Sequence, residues 1–301
     1  MRWPGYAGGP EVLVDAVNTS ESGLLVVATA ADGAVRMTGA EVGPVAAEVA
    51  RRHGLNAHAA RLGADAVVAA ALMSAHIKGQ ERLTLQFQGE TPRCALFAEV
   101  DAQGRVRGRV SPGHLADASG EVAGVLAAIK ADANQEMYRG LTAIDQTTIE
   151  GGLMEHLKQS IQLDGALKIH TDLGRMSARG VMVERLPGHD EDPTELARSV
   201  AIIEVLRDRS ALEVLEAVAE GHLLGEPITV LERRPITWHC TCSQERVEAT
   251  LCSLGEVELR AMADEDDGAT VNCHFCCDSY TVDADRLRSL ADQVVAESDA
   301  D

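Results

Sequence analysis

Five of the seven cysteines of this 301-residue chain lie in two short runs, His239-Cys240-Thr241-Cys242 and Cys273-His274-Phe275-Cys276-Cys277. Thiolates are soft ligands that zinc prefers. A structural zinc site takes four such ligands in a tetrahedron, usually as two close pairs from separate turns. Cys240 with Cys242, and Cys273 with Cys276, supply pairs of that kind. In extended backbone the side-chain period of two puts both members of a CxC on one side, and the two residues inside CHFC make a tight turn that does the same. A static zinc clip is the plain reading of this spacing. A CxC is rarer than a CxxC, however, and a disulfide closed within it makes a short, strained, easily reversed ring, which points toward redox sensing. Spacing alone leaves both readings open.

The other thiols and imidazoles are weighed beside these four. Cys277 is an extra thiol next to a ligand, with ligand exchange as its lesser alternative. His239 and His274 read as surface residues or partners of the ligands rather than as ligands. Cys252 and Cys94 read as small buried hydrophobes. His53, His58, His156, His170, His189 and His222 show no metal spacing.

The elements that must position the cysteines come next. Between the two pairs, SQERVEATLCSLGEVELRAMADEDDGATV reads as a helix, a turn and a second short helix. A domain over residues 236–285 is too small to stand on its apolar core, so bound metal would supply much of its folding free energy, on the order of 10 kcal/mol. Residues 286–301 are expected to be a tail and residues 1–11 a flexible start. Gly23 to Ala31, GLLVVATAA, reads as a strand rather than a signal peptide, because acids and not a basic stretch precede it. Residues 44–78 are helical in character, and Arg82 to Val110 carries three alternating runs, a meander signal. Residues 113–185 read as two helical stretches and a strand, GVMVERL.

At His189 to Pro193, HDEDP, the composition changes, and Asp192, Pro193 and Glu195 form a helix-start pattern. Leu196, Val200, Ile203, Leu212, Leu215 and Val218 then recur at helical spacing, so residues 189–235 are expected to be an amphipathic helical linker. The fold class is α+β: a core over residues 12–188 with an antiparallel sheet and packed helices, the helical linker, and the small C-terminal cysteine domain.

A net charge of −20 opposes binding to a phosphate backbone. No run of apolar residues is long enough for a membrane helix. Without an export signal the expected compartment is a reducing cytoplasm, where paired cysteines serve metal or redox chemistry. No GxxxxGK[ST], GxGxxG or GxSxG motif occurs, so nucleotide-driven and hydrolytic functions lose their usual support.

HCTCSQERVEATLCSLG followed by VNCHFCCDSYTVD resembles the zinc-binding domain of the 33-kilodalton chaperonin family, redox-regulated bacterial heat-shock chaperones. The likeness takes in the CxC, the thirty-residue gap, the CxxC, Ser243 to Arg246 and Tyr280. Upstream, LQFQGETPRCALFAEV, YRGLTAID (Tyr138 to Asp145) and ARGVMVERLPG (Ala178 to Gly188) resemble further family segments, so the likeness spans residues 12–285. Two departures stand out. SIQLDG, Ser160 to Gly165, replaces a SEQxP-like segment, and Cys277 stands where the family usually has glycine.

The resemblance implies that Cys240, Cys242, Cys273 and Cys276 bind zinc as thiolates while reduced, and that oxidation forms Cys240–Cys242 and Cys273–Cys276 disulfides with loss of zinc. Loss of the metal would unfold its domain and free the linker's apolar stripe, giving an ATP-independent holdase for unfolded client proteins, not an enzyme. The resemblance adds a homodimer in the oxidised form; nucleic acid and membrane partners are not expected. Two other classes compete. A thiol-disulfide oxidoreductase using CHFC would need a βαβ setting that the chain does not offer, and a static zinc ribbon would hold its metal through oxidation.

Overall fold

The computed structural model describes residues 22–30, 33–115, 121–133, 135–187, 221–223 and 226–298. The chain divides into two compact units, Met1–His239 and Cys240–Asp301. In the first, β1 (Gly23–Ala30) and β2 (Val35–Glu41) form a hairpin. Helices α1 (Gly43–Arg52) and α2 (Ala57–Met73) follow, and then the meander of β3 (Glu81–Thr91), β4 (Arg93–Asp101) and β5 (Arg105–Ser111). Strands β6 (Glu121–Asp132) and β7 (Gln135–Thr148) lie outside β3. After α3 (Ile149–His156) come β8 (Gly165–Asp172), β9 (Ser177–Arg185), a small hairpin of β10 (His222–Leu223) with β11 (Glu226–Pro227), and β12 (Thr229–Trp238). The large sheet has ten strands in the order β7-β6-β3-β4-β5-β12-β1-β2-β9-β8.

β12 joins the two halves of this sheet. It runs antiparallel to β1, with Gly23 opposite Ile236, and parallel to β5 through Thr237 opposite Arg105 and Trp238 opposite Val106. Arg234 anchors it by donating to the carbonyl oxygens of Ala102 and Ser74, and the Arg52 guanidinium lies 4.0 Å over the Trp238 ring.

The core forms where strands of both halves pack on α2. Of the 17 residues of α2, 14 are buried, as expected of a helix apolar on every side. Its run of alanines lets the sheet approach closely. On β9 the glycine of ARGVMVERLPG serves the same fit: a Cβ on Gly180 would lie 2.4 Å from Val68 Cγ1 of α2. On β7, a Cβ on Gly140 would lie 2.6 Å from His156 Cε1, and the buried His156 ring packs there with Nδ1 2.9 Å from the Thr142 hydroxyl.

Three expectations change. Residues 121–148 form two long strands rather than a helix, because Val122, Leu126 and Ala128 turn inward while Val125 faces out, a period of two. Of the helical linker expected over 189–235, residues 189–220 lie outside the described residues, and Thr229–Trp238 is strand, paired on both sides. The expected tail is a helix.

The second unit holds α4 (Gln244–Cys252), α5 (Glu256–Glu265), the hairpin of β13 (Gly268–Asn272) and β14 (Ser279–Asp283), and α6 (Ala284–Ser298). The helix-turn-helix expected between the cysteine pairs is present as α4 and α5. The buried apolar core of this unit is small: Val247, Leu251, Leu259, Ala263, Val282, Leu287, Leu290 and Ala291, with the last three supplied by α6. Among the described residues no helix is long and apolar enough to cross a membrane.

Candidate metal centre

Two irregular turns bring the paired cysteines together. Cys240 and Cys242 lie in the segment that leads into α4. Its first turn is capped by the Ser243 hydroxyl, which accepts from the Arg246 N–H at 3.3 Å, while the Arg246 guanidinium donates to the Thr241 carbonyl at 2.9 Å. The Ser-x-Glu-Arg sequence thus ties the CxC segment to the helix that follows. Cys273 and Cys276 sit in the turn between β13 and β14, closed by Cys273 N–H to Asp278 O and Cys277 N–H to Cys273 O, each 2.9 Å.

The four sulfurs lie within 4.8 Å of one another. Cys240 Sγ is 3.7 Å from Cys273 Sγ, and Cys242 Sγ is 3.1 Å from Cys276 Sγ, so these contacts run across the two pairs. A zinc ion with Zn–S bonds of about 2.3 Å would set tetrahedron edges of about 3.8 Å, close to the first contact and a little wider than the second. None of the seven cysteines is joined in a disulfide. The donor set therefore fits a soft, tetrahedral cation.

Electrostatics give the same answer. Burial pushes the thiols of Cys240 and Cys276 up. Burial also opposes ionisation of Cys273, but hydrogen bonds from the Cys276 and Phe275 amides and from neighbouring thiols outweigh it and hold this thiol at about 7. Four crowded, partly buried sulfurs cannot all ionise unaided, and a divalent cation is what would let them do so. The Tyr280 hydroxyl donates to Cys242 Sγ at 2.9 Å, and that bond, with burial, pushes the phenol's own pKa up. Sequence reasoning marked Tyr280 only as part of a pattern; its contact depends on the β14 register that no local signal carries.

The remaining candidates sort clearly. His274 is exposed, and neither it nor His239 joins the sulfur group. Cys277 is exposed with φ of 60°, the left-handed region that favours glycine, which explains why glycine suits this position. Cys94 is buried in β4 and Cys252 packs half-buried against the small unit's core. Leu196, Val200, Ile203, Leu212, Leu215 and Val218 lie outside the described residues.

A ten-stranded sheet packed on an alanine-rich helix, followed by a small unit with four convergent sulfurs, defines an α+β protein with a four-cysteine cluster that could hold a metal ion. Residues 23–283 match the family model of the Hsp33 protein. The 33 kDa chaperonin of Syntrophotalea carbinolica is 32% identical over 286 residues, covering 88% of this chain and 98% of that protein. That of Bacillus licheniformis is 30% identical over 291 residues, covering 90% and 99%. The crystal structure of the 33 kDa chaperonin of Thermotoga maritima superposes with a TM-score of 0.73 at 21% identity, covering 91% of this chain and 99% of that one, a likeness of fold. The chain belongs to the Hsp33 family of chaperones. Its relatives are named chaperonins, which are not enzymes, in agreement with a sequence that assigns no catalytic residue.

Proposed function

We propose that this chain is a redox-regulated, ATP-independent holdase whose reduced form carries zinc on Cys240, Cys242, Cys273 and Cys276. The observation that carries this reading is the convergence of four cysteine sulfurs within 4.8 Å in a unit whose apolar core, among the described residues, is a cluster of eight buried side chains. Bound zinc would hold the sulfurs as thiolates and contribute folding free energy to a unit with little core of its own. Oxidation to Cys240–Cys242 and Cys273–Cys276 bridges, two electrons from each pair, would consume all four ligands and release the ion. The small unit would then unfold, and residues 189–220, with Leu196, Val200, Ile203, Leu212, Leu215 and Val218, would become available to unfolded clients. Apolar surface on the outer strands of the sheet supports the same role, since Val125, Met137 and Leu141 are 40%, 57% and 65% exposed. The net charge of −20 would keep a loaded complex in solution and disfavours nucleic acid as a partner. A homodimer of the oxidised form and a cytoplasmic location complete the proposal.

The test uses reduced, full-length protein. Zinc content is measured, peroxide or hypochlorous acid is added under mildly unfolding conditions, and zinc release is followed beside the aggregation of an unfolded client. Release with suppression of aggregation is expected. Zinc that survives the oxidant would favour a static module, and catalytic turnover of a disulfide substrate would favour an oxidoreductase.

A further inference from the structure

We propose that Met137 is a modification site: hypochlorous acid converts its thioether to the sulfoxide, and that change weakens the hold on clients that oxidation of the cysteines confers. This deepens the holdase reading above and rests on it. Met137 is the extra residue of a bulge in β7. Lys130 of β6 lies opposite Tyr138 and Ala131 opposite Glu136, so Met137 has no partner across the ladder. Bulges re-aim side chains at sheet edges, and β7 is the last strand of the large sheet. The Met137 side chain is 57% exposed, beside Tyr138 and with Leu141 further along the strand, both also exposed. Met37, Met73 and Met182 are buried, and Met154 and Met262 pack against the two cores. Met176, 60% exposed in the β8–β9 turn, is the other open thioether among the described residues.

A thioether has no proton to lose, so it lacks the thiolate form through which cysteine reacts with peroxide. Hypochlorous acid needs no such form. The sulfur lone pair of Met137 takes chlorine from oxygen, which breaks the O–Cl bond and frees hydroxide. Water then adds to sulfur, forming the S–O bond, as chloride leaves; the hydroxide takes one of the water's protons and solvent the other. Sulfur loses two electrons and chlorine gains them. The product is polar where the thioether was flexible and apolar, and it withdraws Met137 from the apolar surface that Tyr138 and Leu141 continue. Peroxide is therefore selective for the cysteines, whereas hypochlorous acid oxidises the cysteines and Met137.

Full-length protein is first oxidised with peroxide under the mildly unfolding conditions above, its remaining thiols are capped with iodoacetamide, and hypochlorous acid is added in rising amounts. Each sample is divided between peptide mass spectrometry, which places the added oxygen, and the aggregation of an unfolded client. Oxygen should appear on Met137 and Met176 before Met37, Met73 and Met182. Over the same range the hold on client should weaken about fivefold from its starting value, the factor that losing part of the burial of one Met side chain implies, and methionine sulfoxide reductase should restore it. Met137→Leu stays apolar but takes no oxygen, and measured against its own starting value it should keep its hold; Met176→Leu should lose as much as the unsubstituted protein. Oxygen on the buried methionines as early as on Met137, an equal loss in Met137→Leu, or protection by Met176→Leu overturns the proposal. Peroxide-treated protein that holds no client defeats the holdase reading instead, while the order of methionine oxidation still decides whether Met137 is the site.

Discussion

The two units reach order by opposite means. The sheet unit encloses a helix with 14 of 17 residues buried and draws its core from both halves of a ten-stranded sheet. The cysteine unit has, among the described residues, an apolar cluster of eight buried side chains and four crowded sulfurs. The first is stabilised by apolar burial that no change of redox state can remove. On the proposed zinc-thiolate reading the second would depend on ligands that oxidation destroys, which is the property a switch requires. Placing both on one chain would then let the second unit be lost while the first stays folded.

Metal removal exposes this contrast most strongly. Structural zinc contributes on the order of 10 kcal/mol to small domains. A strong chelator added to reduced protein should therefore abolish amide-exchange protection across α4, α5 and α6 while α2 keeps its own. Protection retained in α4–α6 without metal would show that the small unit stands on its apolar core. Leu72→Ala attacks the other side. Leu72 is fully buried in the sheet unit, and the truncation should cost about 3–5 kcal/mol, read as a lower denaturant midpoint for that unit. Zinc stoichiometry should not change; if it falls as well, the two units do not fold independently.

How much of this contrast the sequence carries depends on how local the signal is. The four sulfurs are legible because each pair is two or three residues apart and a metal's ligand chemistry restricts the rest. Strands β1 and β3–β5 are legible from alternation, and α2 from its unbroken apolar run. β6 and β7 are not: Ala and Gly at five of the twelve positions of β6 blur a period of two into the composition of a helix, and β7, QEMYRGLTAIDQTT, is mostly polar. β12 is harder still: it contains Pro235, Leu231 is 60% exposed, and its place depends on Arg234 reaching carbonyl oxygens more than 130 residues away. Leu287, Leu290, Ala291 and Val294 do carry helical spacing, so α6 was readable, but its role in closing the small core was not.

Acidity separates the units in a subtler way. Asp65 lies inside the sheet unit, where burial raises its pKa to about 6 despite a 2.6 Å hydrogen bond from Thr171 Oγ1. Its folded value lies above the unfolded one, so its favourable contribution is complete below about pH 4 and is lost as pH rises through about 6. Above that pH the buried carboxylate costs about 2–3 kcal/mol. Asp65→Asn should therefore stabilise the sheet unit by roughly that amount at pH 8 and by almost nothing at pH 4, measured by denaturant unfolding. Equal effects at both pH values would mean that Asp65 does not titrate in this range.

The smallest effects give the sharpest test, because the same chemistry occurs in both units. Asn56 caps α2, its side-chain oxygen accepting from Ala59 N–H at 3.0 Å, and Ser243 caps α4. Removing a side-chain cap costs about 1 kcal/mol in either place. In the sheet unit, folding is not linked to metal, so Asn56→Ala should lower the denaturant midpoint, somewhat further because its amide also donates to Leu115 O at 2.7 Å, and leave zinc affinity alone. In the cysteine unit, the proposed reading makes folding and metal binding one equilibrium, so Ser243→Ala should weaken zinc binding about fivefold, as about 1 kcal/mol implies, and leave the sheet unit's midpoint unchanged. Competition with a chelator of known affinity measures the first quantity and denaturant titration the second. If Ser243→Ala leaves zinc affinity untouched, α4 is already folded before the metal arrives, and oxidation of the sulfurs alone would not dismantle the unit.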